Sequence, residues 1–423
     1  MAEDGLNIAV VGGGVAGIVA AYLLQHRHHV TLFEKNSYLG GHTHTIQIPS
    51  GPDAGLAVDT GFIVFNDQTY PHFETFLTRL GIASRLSEMS FSFCCRQSGL
   101  FYAGHNLNGL FAQRRNLLRP GYWLFLREIL RFCRTARADL AQGRVPSVDL
   151  AAYLSRHRFS AFMAENYLLP MAAAIWSAPP GAVGSFPAEP FLRFFLNHGL
   201  LSLRHRPNWK TVTGGSHSYV KAFWAGFKGQ VRLNAPVASI VRDQRGPKLH
   251  LGAGQEESFD RVVIATHADQ ALRLLADPDE REERLLSPWR YQKNHAVLHT
   301  DSSLLPPVRR ACSSWNFIRE RQGDTLSPVS VTYYMNRLQG LQSRRDYCVT
   351  LNHEGAFAPG SVIAEMDYHH PQYNFAAMDT QAELPDLNGN RQSYFCGSYF
   401  GYGFHEDAVR SAIAVGRHFD VEL

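Results

Sequence analysis

The stretch from Asn7 to Glu34 constrains the fold of this chain more than any other. A short β-branched run, residues 7–11, passes directly into the glycine sequence GGGVAG and then into an apolar helix. A strand, a tight turn and a helix in this order form the βαβ pattern that holds a dinucleotide pyrophosphate at the helix N-terminus. A second apolar run, residues 30–33, ends at Glu34, where a carboxylate can accept the hydroxyls of the adenosine ribose. We therefore predict an α/β domain that binds a dinucleotide.

The glycines of this turn have separate predicted tasks. Gly12 permits the tight turn, Gly14 lets the backbone approach the pyrophosphate, and Gly17 lets the helix pack closely on the sheet. The predicted cofactor contacts in this part of the chain are Gly12, Gly14, Ala16, Gly17, Glu34 and Lys35.

A Gly-Gly pair, Gly40 and Gly41, follows the ribose carboxylate and precedes His42. This arrangement resembles the flavoprotein superfamily of the amine oxidases and phytoene desaturases, where such a pair lies beside the FAD pyrophosphate. The resemblance implies FAD as the cofactor. The superfamily usually has arginine after the pair, so we expect His42 near the pyrophosphate or the flavin. His42 and His44 also suggest a metal pair, but no carboxylate or cysteine with ligand spacing joins them, and we predict no metal.

Length and composition set broader limits. A chain of 423 residues with 45% hydrophobic residues is expected to form two domains and a large core. A net charge of +4 gives no support for nucleic-acid binding. Six cysteines without a C-x-x-C motif predict reduced thiols and a cytoplasmic protein. No apolar run approaches the roughly 18 residues of a spanning helix, so we expect a soluble protein or one peripheral to the inner face of a membrane.

The middle of the chain predicts a second domain. Residues 107–203 have a helical pattern in which Arg127, Arg131 and Arg134 recur at helical spacing. Such a basic helix can lie on an anionic membrane or be an ordinary helix with a solvated arginine face, and we favour the second interpretation. Residues 277–284 predict another solvated helix, and residues 291–373 are rich in strands.

These patterns predict a two-domain, amine-oxidase-like α/β fold. Its Rossmann-type FAD-binding domain is discontinuous and comprises residues 1–70, 205–290 and 385–423. A mixed α+β substrate domain comprises residues 71–204 and 291–384.

The C-terminal region predicts the flavin end of the site. Residues 394–398 resemble the last strand of the flavin domain, and residues 401–408 open a final helix. In the superfamily this helix N-terminus points at the flavin pyrimidine and stabilises the charge that develops on reduction. Glu406 and Asp407, in its first turn, must then point away from the flavin. The resemblance implies further FAD contacts at Thr60, Gly61, Phe62, Val237, Ala265, Thr266, Gly397, Ser398, Gly403, Phe404 and His405.

A closer resemblance is carried by the blocks GGHTHT, DTGFIVFN and FCGSYFGYGFHED. They are similar to the amine-oxidase-like flavoproteins that accompany cyclopropane-fatty-acid synthases. This implies a lipid or fatty acyl substrate and a possible fatty-acid methyltransferase or cyclopropane synthase partner. Two departures count against an amine substrate. Ser398 replaces the acidic residue that commonly follows the glycine, and only Lys293 is a candidate for the lysine near flavin N5.

The leading hypothesis is an FAD-dependent oxidoreductase that desaturates a modified or unsaturated fatty acyl chain by hydride transfer to flavin N5. His405 and Tyr402 are the first candidates for the catalytic neighbourhood, followed by His299, Asp301 and Asn316, although each can be a structural hydrogen bonder instead. The alternatives are a redox-neutral fatty acid double-bond isomerase and a non-catalytic FAD-binding partner of a fatty-acid methyltransferase.

Overall fold

A computed structural model describes residues 4–178, 180–202, 206–320 and 330–423. The predicted domain limit between residues 204 and 205 lies outside these ranges. Among the helices in these ranges, none combines the length and the apolar character needed to cross a bilayer.

The strands are numbered in chain order. They are β1 (Asn7–Val11), β2 (His29–Phe33), β3 (Thr45–Gln47), β4 (Ala57–Asp59), β5 (Val64–Asn66), β6 (Ser84–Leu86), β7 (Phe91–Cys95), β8 (Leu100–Ala103), β9 (Trp209–Val212), β10 (Gln230–Arg232), β11 (Val237–Asp243), β12 (Gly246–Leu251), β13 (Glu256–Ser258), β14 (Arg261–Ile264), β15 (Arg290–His299), β16 (Trp315–Arg319), β17 (Ser330–Tyr334), β18 (Cys348–Leu351), β19 (Val362–Gln372) and β20 (Ser393–Phe395).

The helices are numbered in the same way. They are α1 (Val15–Leu24), α2 (Pro71–Arg79), α3 (Leu107–Leu110), α4 (Pro120–Ala141), α5 (Leu150–Arg156), α6 (Ala161–Met163), α7 (Leu169–Trp176), α8 (Pro180–Gly184), α9 (Ala188–Asn197), α10 (His217–Gly226), α11 (Ala268–Leu274), α12 (Glu280–Leu286), α13 (Met335–Leu338), α14 (Phe375–Thr380) and α15 (His405–Arg417).

A five-stranded parallel sheet forms the nucleotide-binding half of the molecule. Its strand order is β10-β2-β1-β14-β20, so strands from distant parts of the chain lie side by side. Helices α1 and α15 pack against each other, and their apolar residues share one buried cluster with the sheet. The predicted Rossmann-type fold, assembled from separate stretches of sequence, is confirmed.

A seven-stranded mixed sheet forms the other half. Its strand order is β19-β15-β18-β17-β16-β7-β8, and helix α7 packs against β16 and β19. The strand-rich stretch from residue 291 onward supplies five of these strands, and the segment just before the helical region supplies β7 and β8. This half is therefore the predicted mixed α+β domain.

Helix α2 does not follow the predicted domain division at residue 70, because it packs with the FAD-binding half. Its apolar side chains Phe73, Phe76 and Leu77 are buried in the cluster beneath the parallel sheet. Strand β6 likewise joins a small sheet with β5 and β9. The start of the segment assigned to the substrate domain thus packs with the FAD-binding half, and the limits of the domains stay a prediction.

The charged run at residues 277–284 is only partly the solvated helix that we predicted. Helix α12 begins after Asp279, whose carboxylate caps the helix by accepting from the Glu282 backbone N–H. Glu282 itself is only 2% exposed and pairs with the buried guanidinium of Arg242. A buried carboxylate needs such a partner because its desolvation is costly.

Gly17 provides a test of how closely α1 must approach β1. A Cβ at this position would lie 1.9 Å from the Gly12 carbonyl oxygen. We expect Gly17→Ala to lower the free energy of unfolding by about 3 kcal/mol, because the helix must move away from the sheet. Urea denaturation of the apoprotein, followed by circular dichroism, measures the change.

Gly226→Ala is the matched control, since no atom of the described residues lies within 4 Å of its Cβ position. Its effect should stay within about 0.5 kcal/mol. Equal stabilities of the two variants would contradict the proposed close-packing constraint.

Candidate active site

The turn between β1 and α1 has the geometry of a phosphate-binding site. Gly12 has a φ of +109°, and a Cβ there would lie 2.6 Å from the Ala265 carbonyl oxygen. No atom of the described residues lies within 4 Å of the Cβ position of Gly14. Helix α1 has no side-chain cap and no acidic residue in its first turn, so its first N–H groups are available to an anion. Ala16 is buried in this turn, and Thr266 approaches Gly12 from the end of β14.

Glu34 is held at the end of β2, as predicted for a ribose-binding carboxylate. It is buried, its Oε2 accepts from the Gly13 N–H at 2.8 Å, and its Oε1 accepts from the Asn36 N–H at 2.8 Å. The Ala235 N–H donates to the Glu34 carbonyl at 2.9 Å and so brings the segment leading to Val237 alongside. Lys35 is exposed at the edge of this region.

The Gly-Gly pair lies opposite the turn between β1 and α1 and forms a second wall of the site. The Gly40 N–H donates to the Gly13 carbonyl at 2.8 Å, and both Gly40 and Gly41 have positive φ values. A Cβ on Gly41 would lie 3.3 Å from the Gly14 Cα. The two glycine segments therefore face each other, with only backbone between them.

His42 presents an unsatisfied polar atom in this wall. Its Nε2 is buried and has no hydrogen-bond partner among the described residues. Burial lowers the pKa of His42 to about 4, so the ring is neutral at pH 7. A buried nitrogen without a hydrogen-bond partner calls for an explanation. A bound cofactor beside the phosphate-binding turn would supply the missing partner.

Three more side chains surround His42. Its ring centroid lies 5.2 Å from that of Tyr368, 5.4 Å from that of His370 and 5.8 Å from that of His267. Burial lowers the pKa of His370 to about 3 and holds the pKa of His267 well below its usual range. The ring of His267 stacks on Tyr291 with a centroid separation of 4.3 Å. In the described part of the chain, no group of three or more His, Cys, Asp or Glu side chains is arranged to hold a metal ion.

His405 occupies the first turn of α15 and lies close to the glycine walls. Its ring stacks on Phe62 with a centroid separation of 3.5 Å. Its Nε2 lies 2.9 Å from the Thr43 hydroxyl and 3.3 Å from the Tyr219 hydroxyl. Burial keeps the pKa of His405 well below its usual range. The structure thus brings His405 and Phe62 together, as two predicted site residues, and holds the imidazole neutral and fixed.

Residues 42–44 and residues 60–62 are joined by backbone hydrogen bonds. The Thr60 N–H donates to the His44 carbonyl at 2.9 Å, and the Phe62 N–H donates to the His42 carbonyl at 2.7 Å. A Cβ on Gly61 would lie 2.2 Å from the His42 carbonyl oxygen, so the two strands meet there without room for a side chain. Thr60, Gly61 and Phe62 are therefore positioned through His42.

Both acidic residues of α15 turn toward the protein. The Glu406 carboxylate accepts from the backbone N–H groups of His72, at 3.1 Å, and Phe73, at 2.9 Å, at the start of α2. The Asp407 carboxylate accepts from the N–H groups of Tyr402 and Phe404, at 2.9 Å and 3.1 Å. Both carboxylates are therefore occupied by N–H groups of the protein.

The loop that leads into α15 is held by short-range contacts. The Gly397 N–H donates to the Ser411 hydroxyl at 2.9 Å, and the Gly403 N–H donates to the Ser398 carbonyl at 3.1 Å. A Cβ on Gly403 would lie 2.4 Å from the Tyr373 hydroxyl oxygen. That hydroxyl is buried and has no partner among the described residues.

An aromatic wall adjoins the start of α15. Phe404 stacks on Phe194 of α9 with a centroid separation of 4.9 Å, and Trp176 lies 4.7 Å from Phe194 by the same measure. We define the aromatic wall by six side chains, Trp176, Phe191, Phe194, Tyr373, Tyr402 and Phe404. Burial raises the pKa of Tyr402, so its phenol is protonated at neutral pH.

His299 and Asp301 have structural roles. His299 lies at the opposite end of the long strand β15 from Tyr291, about 26 Å away at the rise of an extended strand. Its Nε2 lies 2.7 Å from the Thr350 hydroxyl, and its Nδ1 accepts from the Asp301 N–H at 3.1 Å. The Asp301 carboxylate accepts from the backbone N–H groups of Ser303 and Ala358. These bonds engage both side chains within the protein, and a catalytic role for either residue stays a prediction.

Asn316 and Lys293 are also engaged elsewhere. The Asn316 side chain accepts from the Ser92 hydroxyl and donates to the Thr332 carbonyl, so it ties three strands together. Lys293 is exposed and pairs with Asp367 at 2.9 Å. An exposed, ion-paired ammonium group gives no support to Lys293 as the lysine near flavin N5.

Sequence reasoning missed several residues of this region. His267 directly follows the predicted contact Thr266, and its position after a buried strand was an available signal. Tyr368 and His370 of β19 lie beside His42, and Tyr291 of the paired strand β15 stacks on His267. Tyr373, just after β19, lies against Gly403. None of these four residues gave a local signal.

The parallel sheet, the turn at Gly12 with the facing Gly-Gly pair, and the buried Glu34 carboxylate together define a two-domain flavoprotein. Residues 15–417 match the family model described as flavin containing amine oxidoreductase. The chain belongs to this family of flavin-containing oxidoreductases, and its cofactor is FAD.

Two curated relatives align over most of the chain. An L-amino-acid oxidase of Siganus canaliculatus is 24% identical over 326 residues, which are 71% of this chain and 59% of the relative. The FAD-dependent oxidoreductase pigF of Monascus ruber is 25% identical over 316 residues, 72% of this chain and 63% of the relative. The chain thus spans about three fifths of the length of these relatives.

Solved structures share the fold. Putrescine oxidase bound to putrescine superposes with a TM-score of 0.73 at 15% identity, over 98% of this chain and 99% of that chain. A CLA-producing fatty acid isomerase from P. acnes gives a TM-score of 0.69 at 16% identity, over 98% and 99% of the two chains. At this level of identity the likeness establishes the fold alone.

The orphaned nitrogen of His42 predicts a contribution to FAD binding. We expect His42→Phe to weaken FAD binding about tenfold, the value of one lost hydrogen bond, and His42→Gln to weaken it less. Isothermal titration of the apoprotein with FAD measures both. An affinity of the phenylalanine variant within about twofold of the wild type would show that Nε2 does not contact the cofactor.

His42 also predicts a pH dependence of stability. Its pKa is about 4 in the folded protein and about 6.5 in the unfolded chain. The stability that depends on the neutral ring is present above pH 6.5 and is lost as the pH falls toward 4. Between pH 7 and pH 5, the apoprotein should lose about 2 kcal/mol more unfolding free energy than His42→Phe. The exposed His29 supplies the control, and His29→Gln should follow the wild type. Parallel curves for the wild type and His42→Phe would refute the assignment.

Proposed function

We propose that this flavoenzyme oxidises a C–C unit of a fatty acyl chain to a double bond: one carbon would give a hydride to flavin N5, the neighbouring carbon would give a proton to water, and dioxygen would reoxidise the flavin. The aromatic wall is the observation that carries the proposal. It lies against the first turn of α15, where a predicted flavin contact, Phe404, stacks on Phe194. An apolar surface of this kind favours a hydrocarbon chain over a charged amine, since a buried ammonium group needs a polar partner.

The charged side chains near the wall already have partners. Asp407 accepts from two backbone N–H groups and pairs with Arg410, and Arg193 pairs with Glu189 on the exposed side of α9. None of these groups is free to bind a charged head group without losing an existing contact. This distribution supports an uncharged reacting segment.

The protonation states of the nearby side chains favour hydride loss as the leading event. FAD supplies a two-electron acceptor when it is bound. The neutral His405 is held by Thr43 and Tyr219, and the protonated Tyr402 can donate but not accept a proton. No strong base is therefore positioned by the side chains at the start of α15. The helix N-terminus stabilises the negative charge that reduction would create.

A fatty acid double-bond isomerase is the second candidate. A CLA-producing fatty acid isomerase with this fold supports it, and the same wall serves both reactions. The closer relation to flavoproteins that accompany cyclopropane-fatty-acid synthases, and a methyltransferase partner, stay predictions.

Anaerobic spectroscopy tests the proposal. The holoprotein is mixed with phospholipids or free acids that carry unsaturated or methyl-branched chains, and the flavin band near roughly 450 nm is followed. We expect bleaching that air reverses, together with a new double bond in the lipid. Putrescine and L-amino acids serve as comparison substrates and should leave the band unchanged.

Three outcomes would overturn the proposal. Bleaching by an amine or amino acid alone would establish a conventional amine substrate. An unchanged band with a shifted double bond would establish the isomerase. An unchanged band and unchanged lipid would exclude both reactions with these substrates.

A further inference from the structure

An exposed apolar patch lies at the start of α4, which is unusual for a surface that must face water. Leu118 is 88% exposed, Leu124 62% and Trp123 49%. Leu117, 46% exposed, precedes them in the chain. We call these four side chains, Leu117, Leu118, Trp123 and Leu124, the apolar patch. Contiguous exposed side chains of this size mark an interaction surface.

The patch is set in a strongly basic segment. Residues 104–138 contain seven arginines and one carboxylate, so this stretch has a net formal charge of +6 while the whole chain has +4. The single carboxylate, Glu128, accepts from the Ser160 N–H at 2.7 Å and pairs with Arg131. The other six arginines have no ion-pair partner in the described ranges. They are Arg114, Arg115, Arg119, Arg127, Arg134 and Arg137.

Helix α4 arranges the two kinds of residue along one face. Trp123, Leu124, Arg127, Leu130 and Arg134 are all exposed and recur at three- and four-residue spacing. Trp123 and Leu124 lie in the first two turns, and Arg127, Leu130 and Arg134 follow them along the same face. A flat surface can therefore contact the entire exposed stripe at once.

The patch is held rigid by the protein beneath it. The Trp123 indole N–H donates to the Leu117 carbonyl at 3.0 Å, and its ring lies 5.2 Å from Phe111 by centroids. Tyr122, on the inner face, donates to the Leu110 carbonyl at 2.6 Å. These contacts anchor the Trp123 indole and the inner face of the helix beneath the patch.

We propose that the apolar patch and its arginines dock this protein on the surface of an anionic lipid bilayer. Leucine and tryptophan side chains enter the boundary between head groups and acyl chains, and arginines bind lipid phosphates. Charge complementarity identifies the partner as anionic. Leu118 directly precedes Arg119, and Leu124 lies one turn before Arg127. Exposed apolar groups interleaved with arginines suit a bilayer interface better than the surface of a folded acidic protein.

The position of the surface also suits the reaction proposed above. Helix α4 packs against α9, and the inner face of α9 carries Phe194, which stacks on Phe404. One layer of helix therefore separates the docking surface from the aromatic wall. Membrane docking itself does not rest on the proposed function, because binding can be measured without any substrate turnover.

Vesicle sedimentation of the FAD-loaded protein tests the docking. We expect vesicles of phosphatidylcholine with about a third phosphatidylglycerol to bind at least about tenfold more tightly than phosphatidylcholine alone, and high salt to weaken the binding. The double variants Leu118→Ser/Leu124→Ser and Arg119→Gln/Arg127→Gln should each weaken binding about tenfold. Their flavin absorbance spectra should match the wild type, which shows that they are folded.

Matched controls lie on other surfaces. Leu86 is 74% exposed on β6, and Arg79 and Arg417 are exposed at the ends of α2 and α15. Leu86→Ser and Arg79→Gln/Arg417→Gln remove the same groups and should leave vesicle binding unchanged. An equal loss in the controls and the patch variants would overturn the assigned surface.

Quenching by brominated lipids locates the contact. Anionic vesicles with brominated acyl chains should quench the wild-type tryptophan emission, and Trp123→Phe should abolish the quenching. Trp224, 46% exposed on α10, is the control, and Trp224→Phe should retain it. No binding to anionic vesicles, or quenching that survives in Trp123→Phe, would overturn the proposal. Binding to polyglutamate but not to vesicles would do so in favour of an acidic protein partner.

Discussion

The close approach of α1 to the end of β1 is the constraint on which the rest of the site depends. Only glycine fits where the helix passes the Gly12 carbonyl, and only glycine fits where Gly12 passes Ala265. The same lack of side chains leaves backbone N–H groups available to a pyrophosphate. Packing of the parallel sheet and binding of the cofactor are therefore consequences of one local geometry. Gly40 extends this geometry, because its N–H binds the Gly13 carbonyl.

The described histidines beside this turn carry no charge. His42, His267 and His370 are buried together, and their lowered pKa values keep them neutral at pH 7. The superfamily resemblance leads one to expect arginine at residue 42. A neutral imidazole offers one hydrogen bond without a compensating positive charge, so electrostatic stabilisation of a bound pyrophosphate would fall to the N-terminus of α1.

The sequence predicted those parts of the molecule whose chemistry is local. The turn at Gly12, the carboxylate of Glu34 and the start of α15 are each set by residues adjacent in the chain, and the structure has them where we expected. The cluster around His42 depends on the pairing of β15 with β19, which local patterns do not determine. The same limit explains His299: polar residues on a strand-rich segment suggested catalysis, yet the register places this histidine at the far end of the sheet, where its ring nitrogens are satisfied by the protein.

The start of α15 shows how one helix end can serve two different environments. Its acidic side chains accept hydrogen bonds from the protein, Glu406 at the start of α2 and Asp407 in the loop before α15. The backbone N–H groups of the first turn of α15 are then its remaining polar feature. Its aromatic residue, Phe404, packs on α9 instead. The start of α15 is thus polar without bearing a free side-chain charge, and the adjoining wall is apolar. A shift of α9 would act directly on Phe404, because the two rings are stacked, and would reach the first turn of α15 through that single contact.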